Sequence, residues 1–259
     1  MLELQTSFRS ESGGRGRNED ACGYWTSDDC CCWVVSDGAG GHGGGDVAAR
    51  LVVSTVLRAF AQNPAVAPDE AVALLQAAND AVVSEQDSGS PVADMHATAV
   101  VLLIDRERSC AVWGHVGDTR VYLFRRGRVV YQTRDHSVVQ SMIDAGYGTS
   151  EMIRKHPQRS LLTSAIGSSD GIALSVSAEP MPLASGDVFL ICTDGWWEHL
   201  QEDEMERLLD ESATCDEWLA GMGKLIVGRA PAESDNYTAV CVTASEVVRD
   251  ETTVILAAD

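Results

Sequence analysis

The order of strand-like and helix-like segments is the feature of this sequence that most constrains its fold. Alternating or continuously apolar segments predict ten strands, over residues 2–9, 21–26, 32–36, 97–104, 109–116, 119–125, 128–132, 172–178, 187–192 and 237–243. Helical spacing of apolar residues predicts helices over 44–62, 69–86, 137–146, 149–156, 202–210 and 215–228. Because strands do not alternate regularly with helices, the order is not that of a βαβ parallel sheet. It predicts an α+β fold, with antiparallel sheets whose outer faces are covered by helices.

The chain of 259 residues is long enough to form one sizeable domain, and no linker divides it. We expect a single domain over residues 1–247, followed by a tail over 248–259. The tail has two open interpretations, an additional edge strand or a flexible segment that docks a partner.

Charge and apolar content exclude several classes of partner. The sequence has 19 basic and 39 acidic residues, a formal charge of −20, which repels nucleic acid and anionic membranes. The longest apolar stretch, about Ala97 to Ile104, is too short to span a bilayer, and the N-terminus lacks the pattern of a secretory signal. We therefore expect a cytoplasmic protein whose eight cysteines are reduced thiols, and the absence of a Cys-x-x-Cys pair argues against zinc.

Basic residues concentrate in one segment of this acidic chain. Residues 120–159 contain eight basic and three acidic residues, a net charge of +5. Two interpretations stay open: a solvated hairpin and helix, or a local surface that attracts an acidic or phosphorylated partner.

The segment from Ser36 to Asp46 combines a strand end, an aspartate and six glycines within eight residues. Glycine allows close backbone approach to a ligand and positive φ angles, so this composition indicates a site. Gly38-x-Gly40-x-x-Gly43 also matches the dinucleotide-binding fingerprint, which is the main alternative. Against it, residues 47–68 contain no acidic side chain for a ribose, and a second helix follows the first.

Further aspartates occupy the ends of other predicted strands. Asp118 lies between two strands, Asp194 ends an apolar strand before Gly195, and Asp235 precedes the last strand. Glu19 and Asp20 precede an early strand. Each alone is typical of a turn, but together they form an oxygen-rich set that suits Mg²⁺ or Mn²⁺.

In this context the sequence resembles the metal-dependent PP2C (PPM) family of Ser/Thr protein phosphatases, in its bacterial form. Eight motifs carry the resemblance in family order over about residues 5–245: Arg15-x-x-Asn18-Glu19-Asp20-Ala21, Ser36-Asp37-Gly38-Ala39-Gly40-Gly41-His42, Gly117-Asp118-Thr119-Arg120, Thr133-Arg134-Asp135-His136-Ser137, His156-Pro157-x-Arg159, Leu162-Thr163-x-Ala165-Ile166-Gly167, Thr193-Asp194-Gly195 and Asp235-Asn236-x-Thr238.

The resemblance implies an αββα sandwich with two Mn²⁺ or Mg²⁺ ions in the cleft between the sheets. Asp37 is expected to bridge the ions, and the other implied ligands are the Gly38 carbonyl, Asp194 and Asp235. Glu19 and Asp20 are implied as residues that hold metal-bound waters, with direct ligation by Glu19 as the alternative, and Asp118 with Asp194 as a weaker third site.

The resemblance also implies catalytic roles. Two divalent ions lower the pKa of a shared water for attack on phosphorus, Arg15 binds the phosphoryl oxygens, and no phosphoenzyme forms. His42 is a candidate general acid, with ordering of the glycine loop as the alternative. Residues 144–160 correspond to the mobile flap of the family.

Taken together, these expectations predict a monomeric enzyme that removes phosphate from phosphorylated proteins and opposes a Ser/Thr kinase. A rival hypothesis keeps the fold but assigns it to sensing or scaffolding without turnover. The intact Asp37, Asp194 and Asp235 argue against that rival.

Overall fold

The computed structural model describes residues 2–39, 44–86 and 92–246. Its strands are β1 (Leu2–Glu11), β2 (Asp20–Thr26), β3 (Cys30–Ala39), β4 (His96–Ala97), β5 (Ala99–Asp105), β6 (Cys110–Val116), β7 (Arg120–Arg125), β8 (Arg128–Gln132), β9 (Ser175–Val176), β10 (Met181–Pro182), β11 (Asp187–Cys192) and β12 (Tyr237–Glu246). Its helices are α1 (Gly45–Gln62), α2 (Pro68–Glu85), α3 (Val138–Asp144), α4 (Met152–Lys155), α5 (Asp194–Trp197), α6 (Glu202–Glu211) and α7 (Cys215–Arg229).

The strands form two antiparallel sheets. The first has the order β1-β12-β11-β7-β8, and the second has the order β10-β6-β5-β3-β2, with β4 paired to β3 and β9 paired to β6. In the first sheet β1 and β12 pair along their whole length, with Leu2 opposite Glu246 and Glu11 opposite Tyr237. The chain therefore returns from its C-terminal part to the strand with which it began.

Large apolar side chains fill the space between the two sheets. Trp33 and Leu102 from the second sheet pack with Leu123, Phe189 and Val242 from the first. Successive side chains of a strand point to opposite faces, so the neighbours of these residues in sequence face outward. Each strand therefore contributes side chains to two packed layers.

The outer faces of both sheets are covered by helices. On the second sheet, Val34 and Val101 pack in one cluster with Val52 of α1 and Leu75 of α2. On the first sheet, α5, α6 and α7 contribute to the other cluster, in which Leu190 packs with Trp196, Met205 and Trp218. The predicted α+β fold and αββα sandwich are confirmed.

The sheet topology also decides the dinucleotide-binding alternative. Strand β3, which precedes the glycine-rich segment, pairs antiparallel with β2 and with β5. Two consecutive helices, α1 and α2, then lead into β4. A dinucleotide-binding fold requires parallel strands joined by a single crossover helix, so this alternative is wrong.

Three segments differ from the sequence-based expectation. Only Ser175–Val176 of the predicted strand 172–178 forms a strand, and a second short strand, Met181–Pro182, also pairs with β6. The predicted helix over 149–156 is reduced to Met152–Lys155. Helix α5, only four residues long, has no helical pattern in the sequence.

The prediction that all eight cysteines are thiols is wrong for two of them. Cys215 at the start of α7 and Cys241 in the middle of β12 form a disulfide, while the other six cysteines are free. Helix α7 packs against the outer face of β12, which brings its first residue over the buried Cys241. The sequence separation of 26 residues gave no indication of this contact.

Most of the basic side chains in residues 120–159 have carboxylate partners. Six of the eight form ion pairs: Arg120 with Asp135, Arg125 with Asp187, Arg128 with Asp210 and Glu206, Arg134 with Asp144, Arg154 with Glu202, and Arg159 with Glu198. Neighbouring elements therefore supply the negative charge that the segment itself lacks. This pairing favours the first interpretation, a solvated hairpin and helix, over a strongly basic surface.

Within the described residues, no helix combines the length and apolar character needed to cross a membrane. His42 and the tail over 248–259 lie outside the described residues.

Candidate metal centre

A polar pocket of about 220 Å³ opens where strands of both sheets end. Seven of the site residues predicted from the sequence line it: Arg15, Glu19, Asp37, Gly38, Asp118, Asp194 and Asp235. They come from five separate parts of the chain, and each lies at the end of a strand or in a connection between elements of the sandwich. The face-to-face packing of the sheets is what brings them together.

Asp37 is held by the antiparallel register of β3 with its neighbours. Asp20 lies directly opposite it on β2. On the other side, the backbone N–H of Asp37 donates to Thr98 Oγ1 (3.1 Å), and the N–H of Thr98 donates to the Asp37 carbonyl (2.8 Å). These bonds fix the backbone of Asp37, so its carboxylate has a defined position at the pocket wall.

Gly38 lies where the chain must approach two other backbone segments. A side chain here would collide with the carbonyl oxygen of Gly45 and with that of Glu19. The N–H of Gly38 donates to the Glu19 carbonyl at 3.1 Å. The glycine is therefore required by close packing between β3, the start of α1 and the segment before β2.

Asp194 and Asp20 are connected through Thr193. The hydroxyl of Thr193 donates to Asp20 Oδ2 (3.0 Å) and accepts a hydrogen bond from the N–H of Thr238 (3.0 Å). Asp194 follows as the first residue of α5, directly after the buried strand β11. Asp20, which is not among the residues lining the pocket, thus lies behind it and faces the same group of carboxylates.

The carboxylates raise one another's pKa. Burial, followed by repulsion from Asp20 and Asp194, holds the pKa of Asp37 well above its ordinary value. Burial and then Asp118 do the same to the pKa of Asp194. Burial raises the pKa of Asp118 and that of Asp20 to about 7 in each case. A group of buried carboxylates with raised pKa values favours the binding of a cation, because a cation offsets their mutual repulsion.

Two carboxylate oxygens in this group have no hydrogen-bond partner. Asp20 Oδ1 and Asp194 Oδ1 are both buried and unsatisfied. An unpaired buried carboxylate oxygen is costly, and a divalent cation is the ligand that satisfies such oxygens and offsets their charge. The donor set consists only of oxygen atoms, so it fits Mg²⁺ or Mn²⁺ better than zinc or copper.

The side chains surround the pocket without converging on one point. Within the described ranges, no three carboxylate, histidine or cysteine side chains stand close enough together to hold an ion as placed. Asp235 is turned toward Arg15, whose Nη2 donates to Asp235 Oδ2 at 2.9 Å. Both side chains are about half exposed, so either can rotate at small cost.

Several residues at the pocket were not predicted as site residues, although Ala39 and Leu162 belong to motifs that carry the family resemblance. Thr98, Ser160 and Leu162 line it together with Ala39. Thr98 could have been recognised from the sequence as a polar residue within the apolar stretch from Ala97 to Ile104. Ser160 is the last residue of the flap segment and Leu162 follows it, and the position of both relative to the pocket depends on tertiary packing.

The αββα sandwich with a carboxylate-lined pocket between its sheets is the architecture that the family resemblance implies. A family model described as "Protein phosphatase 2C" matches residues 13–220. The chain belongs to the protein phosphatase 2C family.

Individual relatives agree with the family assignment. The serine/threonine phosphatase stp of Listeria monocytogenes serotype 4b is 29% identical over 221 residues, which cover 83% of this chain and 86% of that protein. The structure of Stp1 from Staphylococcus aureus superposes with a TM-score of 0.82 at 26% identity, over 94% of this chain and 95% of Stp1. The catalytic domain of PstP, described as a complex with two manganese ions, has a TM-score of 0.79 at 24% identity, over 95% of this chain and 100% of that one.

Proposed function

We propose that this protein, a serine/threonine protein phosphatase of the protein phosphatase 2C family, hydrolyses phosphoserine and phosphothreonine in its carboxylate-lined pocket with bound Mn²⁺ or Mg²⁺. The observation that carries the proposal is the pair of buried, partnerless oxygens on Asp20 and Asp194. They lie among carboxylates whose pKa values are raised by one another and by burial.

We assign the ligands of two ions from the pocket residues. Asp37 lies opposite Asp20 and is repelled by Asp20, Asp194, Asp118 and Asp235, which suits a bridging role. The Gly38 carbonyl adds a neutral oxygen beside it. Asp194 and Asp235 complete the core set. Glu19 and Asp20 are assigned to the waters around the ions.

We assign Asp118, together with Asp194, as a ligand of a third ion. It is only 5% exposed, and after burial it makes the largest contribution to the raised pKa of Asp194. The number of ions and the roles of Glu19, Asp20 and Asp118 stay part of this proposal. The manganese-bound PstP catalytic domain supports the two-ion core by analogy of fold.

When bound, the ions supply a water of lowered pKa for attack on phosphorus and offset the negative charge of the phosphate. The chain's own residues position the substrate. Arg15 donates to the non-bridging phosphoryl oxygens once it releases Asp235, which its exposure allows. Ser160, at the end of the flap, and Leu162 line the pocket and would border the phosphoresidue. His42 as proton donor to the leaving oxygen stays a prediction.

The test combines turnover with metal binding. We expect the protein to release phosphate from a phosphothreonine peptide in Mn²⁺ and to lose this activity in EDTA. Asp194→Asn is expected to lose most activity and to weaken Mn²⁺ binding in calorimetry. Asp203→Asn, the same charge change at an exposed position on α6, is the control and leaves both unchanged. Turnover that persists in EDTA, or unchanged Mn²⁺ binding in Asp194→Asn, contradicts the proposal.

The remaining expectations concern partners and location. A phosphorylated protein is the substrate class that the family assignment supports, and an opposing Ser/Thr kinase is proposed as its source. Cytoplasmic location, a monomeric state and the absence of nucleic acid and membrane partners stay predictions. Mn²⁺ binding without turnover on any phosphopeptide would favour the rival sensor or scaffold.

A further inference from the structure

The segment that carries Arg15 has no regular secondary structure. Residues 12–19 connect β1 to β2, and residues 12–17 are all exposed, so apolar packing does not hold them. Arg15 needs a fixed backbone if its guanidinium is to meet a phosphoryl group at a defined position, because misplacement by about 1 Å is costly in catalysis. Something other than a core must therefore hold this loop.

The side chain of Asn236 makes the contacts that hold it. Its Nδ2 donates to the carbonyl of Ser12 (2.8 Å) and to the carbonyl of Arg17 (3.0 Å), and its Oδ1 accepts from the N–H of Glu19 (2.8 Å). The residue is only 4% exposed. An asparagine side chain has two amide hydrogens and one carbonyl oxygen, and all of them are used here on the two ends of one loop.

Asn236 is itself held against the pocket. It follows Asp235, whose Oδ1 accepts from the Asn236 N–H at 2.9 Å. Its carbonyl lies so close to Gly195 that a side chain at Gly195 would collide with it. The residue thus connects the Arg15 loop to the segments that carry Asp235 and Asp194.

The loop has a second contact with the same segment. The N–H of Gly14 donates to the carbonyl of Ser234 at 3.0 Å, and a side chain at Gly13 would collide with the carbonyl of Asp235. Gly13 has a φ of 58°, a conformation that favours glycine. The loop therefore packs closely against residues 234–236 along much of its length.

We propose that Asn236 is a positioning residue that sets the place of the Arg15 guanidinium relative to the phosphoryl group. This inference rests on the proposed function, because it takes Arg15 as the phosphate-binding residue. Asn236 does not touch the substrate. It acts through the loop, and its effect on phosphate binding requires Arg15 to be present.

The experiment is a double-mutant cycle read by competitive inhibition with inorganic phosphate. Asn236→Ala is expected to raise the phosphate inhibition constant and the KM of a phosphothreonine peptide about tenfold, with a smaller change in kcat. A tenfold change is the effect of losing one charge-assisted contact, here that of Arg15 with the phosphate. In an Arg15→Ala background the same replacement is expected to change the inhibition constant less than about twofold. Asn236→Asp, which keeps the size and the Oδ1 acceptor but loses both donors, is expected to behave similarly if Asn236→Ala does not fold.

Asn79→Ala is the matched control. Asn79 is 7% exposed and also makes three hydrogen bonds to a loop, accepting from the N–H groups of Gly167 and Ser168 and donating to the Ser168 carbonyl. Its replacement is expected to lower thermal stability and to leave phosphate inhibition unchanged.

Three outcomes would overturn the proposal: an unchanged inhibition constant in Asn236→Ala, an equal effect of that replacement with and without Arg15, or an equal effect of Asn79→Ala. If Arg15→Ala alone has no effect on phosphate inhibition, the role of Arg15 fails and the proposal fails with it. Calorimetric Mn²⁺ binding reports separately on the metal centre.

Discussion

The indole Nε1 of Trp197 donates a hydrogen bond of 2.9 Å to the backbone carbonyl of Asp118. Trp197 is 1% exposed, and the guanidinium of Arg120 lies 3.5 Å from the centre of its ring. The backbone of a proposed metal ligand is thus fixed by an aromatic side chain from α5. This connection joins the outer helical layer to the pocket between the sheets.

We predict that Trp197→Phe lowers the free energy of unfolding by about 1–2 kcal/mol, because it leaves a buried carbonyl without its donor. It is also expected to weaken the binding of additional Mn²⁺ at Asp118. Trp218→Phe is the matched control, since Trp218 is equally buried and donates to the Met205 carbonyl at 2.9 Å, away from the pocket. Urea unfolding and Mn²⁺ calorimetry make the comparison, and equal Mn²⁺ isotherms for both variants contradict the prediction.

A second prediction concerns the buried ion pair of Arg120 and Asp135. Two hydrogen bonds of 2.7 Å join them, and their side chains are 1% and 2% exposed. Asp135→Ala leaves a buried guanidinium without its carboxylate, so we expect a loss of about 3–5 kcal/mol in the free energy of unfolding.

The control is the exposed pair Arg207–Glu211, for which Glu211→Ala is expected to cost no more than about 0.5 kcal/mol. Chemical denaturation of both variants tests the contrast. A similar, small loss for the two carboxylates would show that the buried pair is not required for stability.

The third prediction is a pH dependence that arises from His136. Burial, and to a lesser extent the stacked ring of His115, lower the pKa of His136 to about 4, while Asp135 opposes the shift. Its Nδ1 accepts from the N–H of Gly117, which requires that nitrogen to be unprotonated. The unfolded chain has an ordinary histidine pKa of about 6.5, so it binds a proton at a higher pH than the folded chain does.

Stability contributed by neutral His136 is therefore complete above about pH 6.5 and is lost as the pH falls toward 4. We expect a loss of about 1–2 kcal/mol over this window, after allowing for solvent screening of a half-buried ring. Unfolding free energies of the wild type and of His136→Gln, measured from pH 7 to 4, should converge as the pH falls. Parallel curves would rule out this contribution.

The layers of this fold were predicted from the sequence because alternate residues of each strand face two different apolar layers, which gives a recognisable pattern. It could not predict α5, since four residues such as Asp194–Trp197 contain too little periodicity and depend on packing against β12. The segment 172–178 has a strand-like pattern, but only Ser175–Val176 pairs, at an edge of β6 that it shares with Met181–Pro182.

The pocket residues were predictable to different degrees for a similar reason. Asp37, Asp194 and Asp235 were predicted because each has a local signature at the end of a strand. The contacts that hold them have none, since Asn236 and Ser12 are 224 residues apart and Thr98 and Asp37 are 61 apart. The disulfide between Cys215 and Cys241 depends equally on the position of α7 over β12. Contacts of this kind follow from the assembled sheets and not from local patterns.

The last prediction is that Asp194→Asn has opposite effects on stability with and without metal. Burial and neighbouring carboxylates hold the folded-state pKa of Asp194 well above its value in the unfolded chain. For a carboxylate with a raised pKa, stability decreases as the pH rises, because the charged form is disfavoured only in the folded state. At pH 8 in EDTA, Asp194→Asn removes this repulsion. It is expected to raise the free energy of unfolding by on the order of 1 kcal/mol, so that the variant unfolds at a higher urea concentration.

In Mn²⁺ the order is expected to reverse. Wild type gains about 2.7 kcal/mol at a metal concentration of 100 times Kd, and the variant gains less because it lacks a proposed ligand. Asp203→Asn, with the same charge change at an exposed position, should follow the wild type in both conditions. Urea unfolding of the three proteins at pH 8, in EDTA and in Mn²⁺, measures the crossing. If Asp194→Asn is the less stable protein in EDTA, repulsion at Asp194 does not limit the stability of the metal-free protein. If the variant gains as much from Mn²⁺ as the wild type, Asp194 does not hold a cation at this pocket.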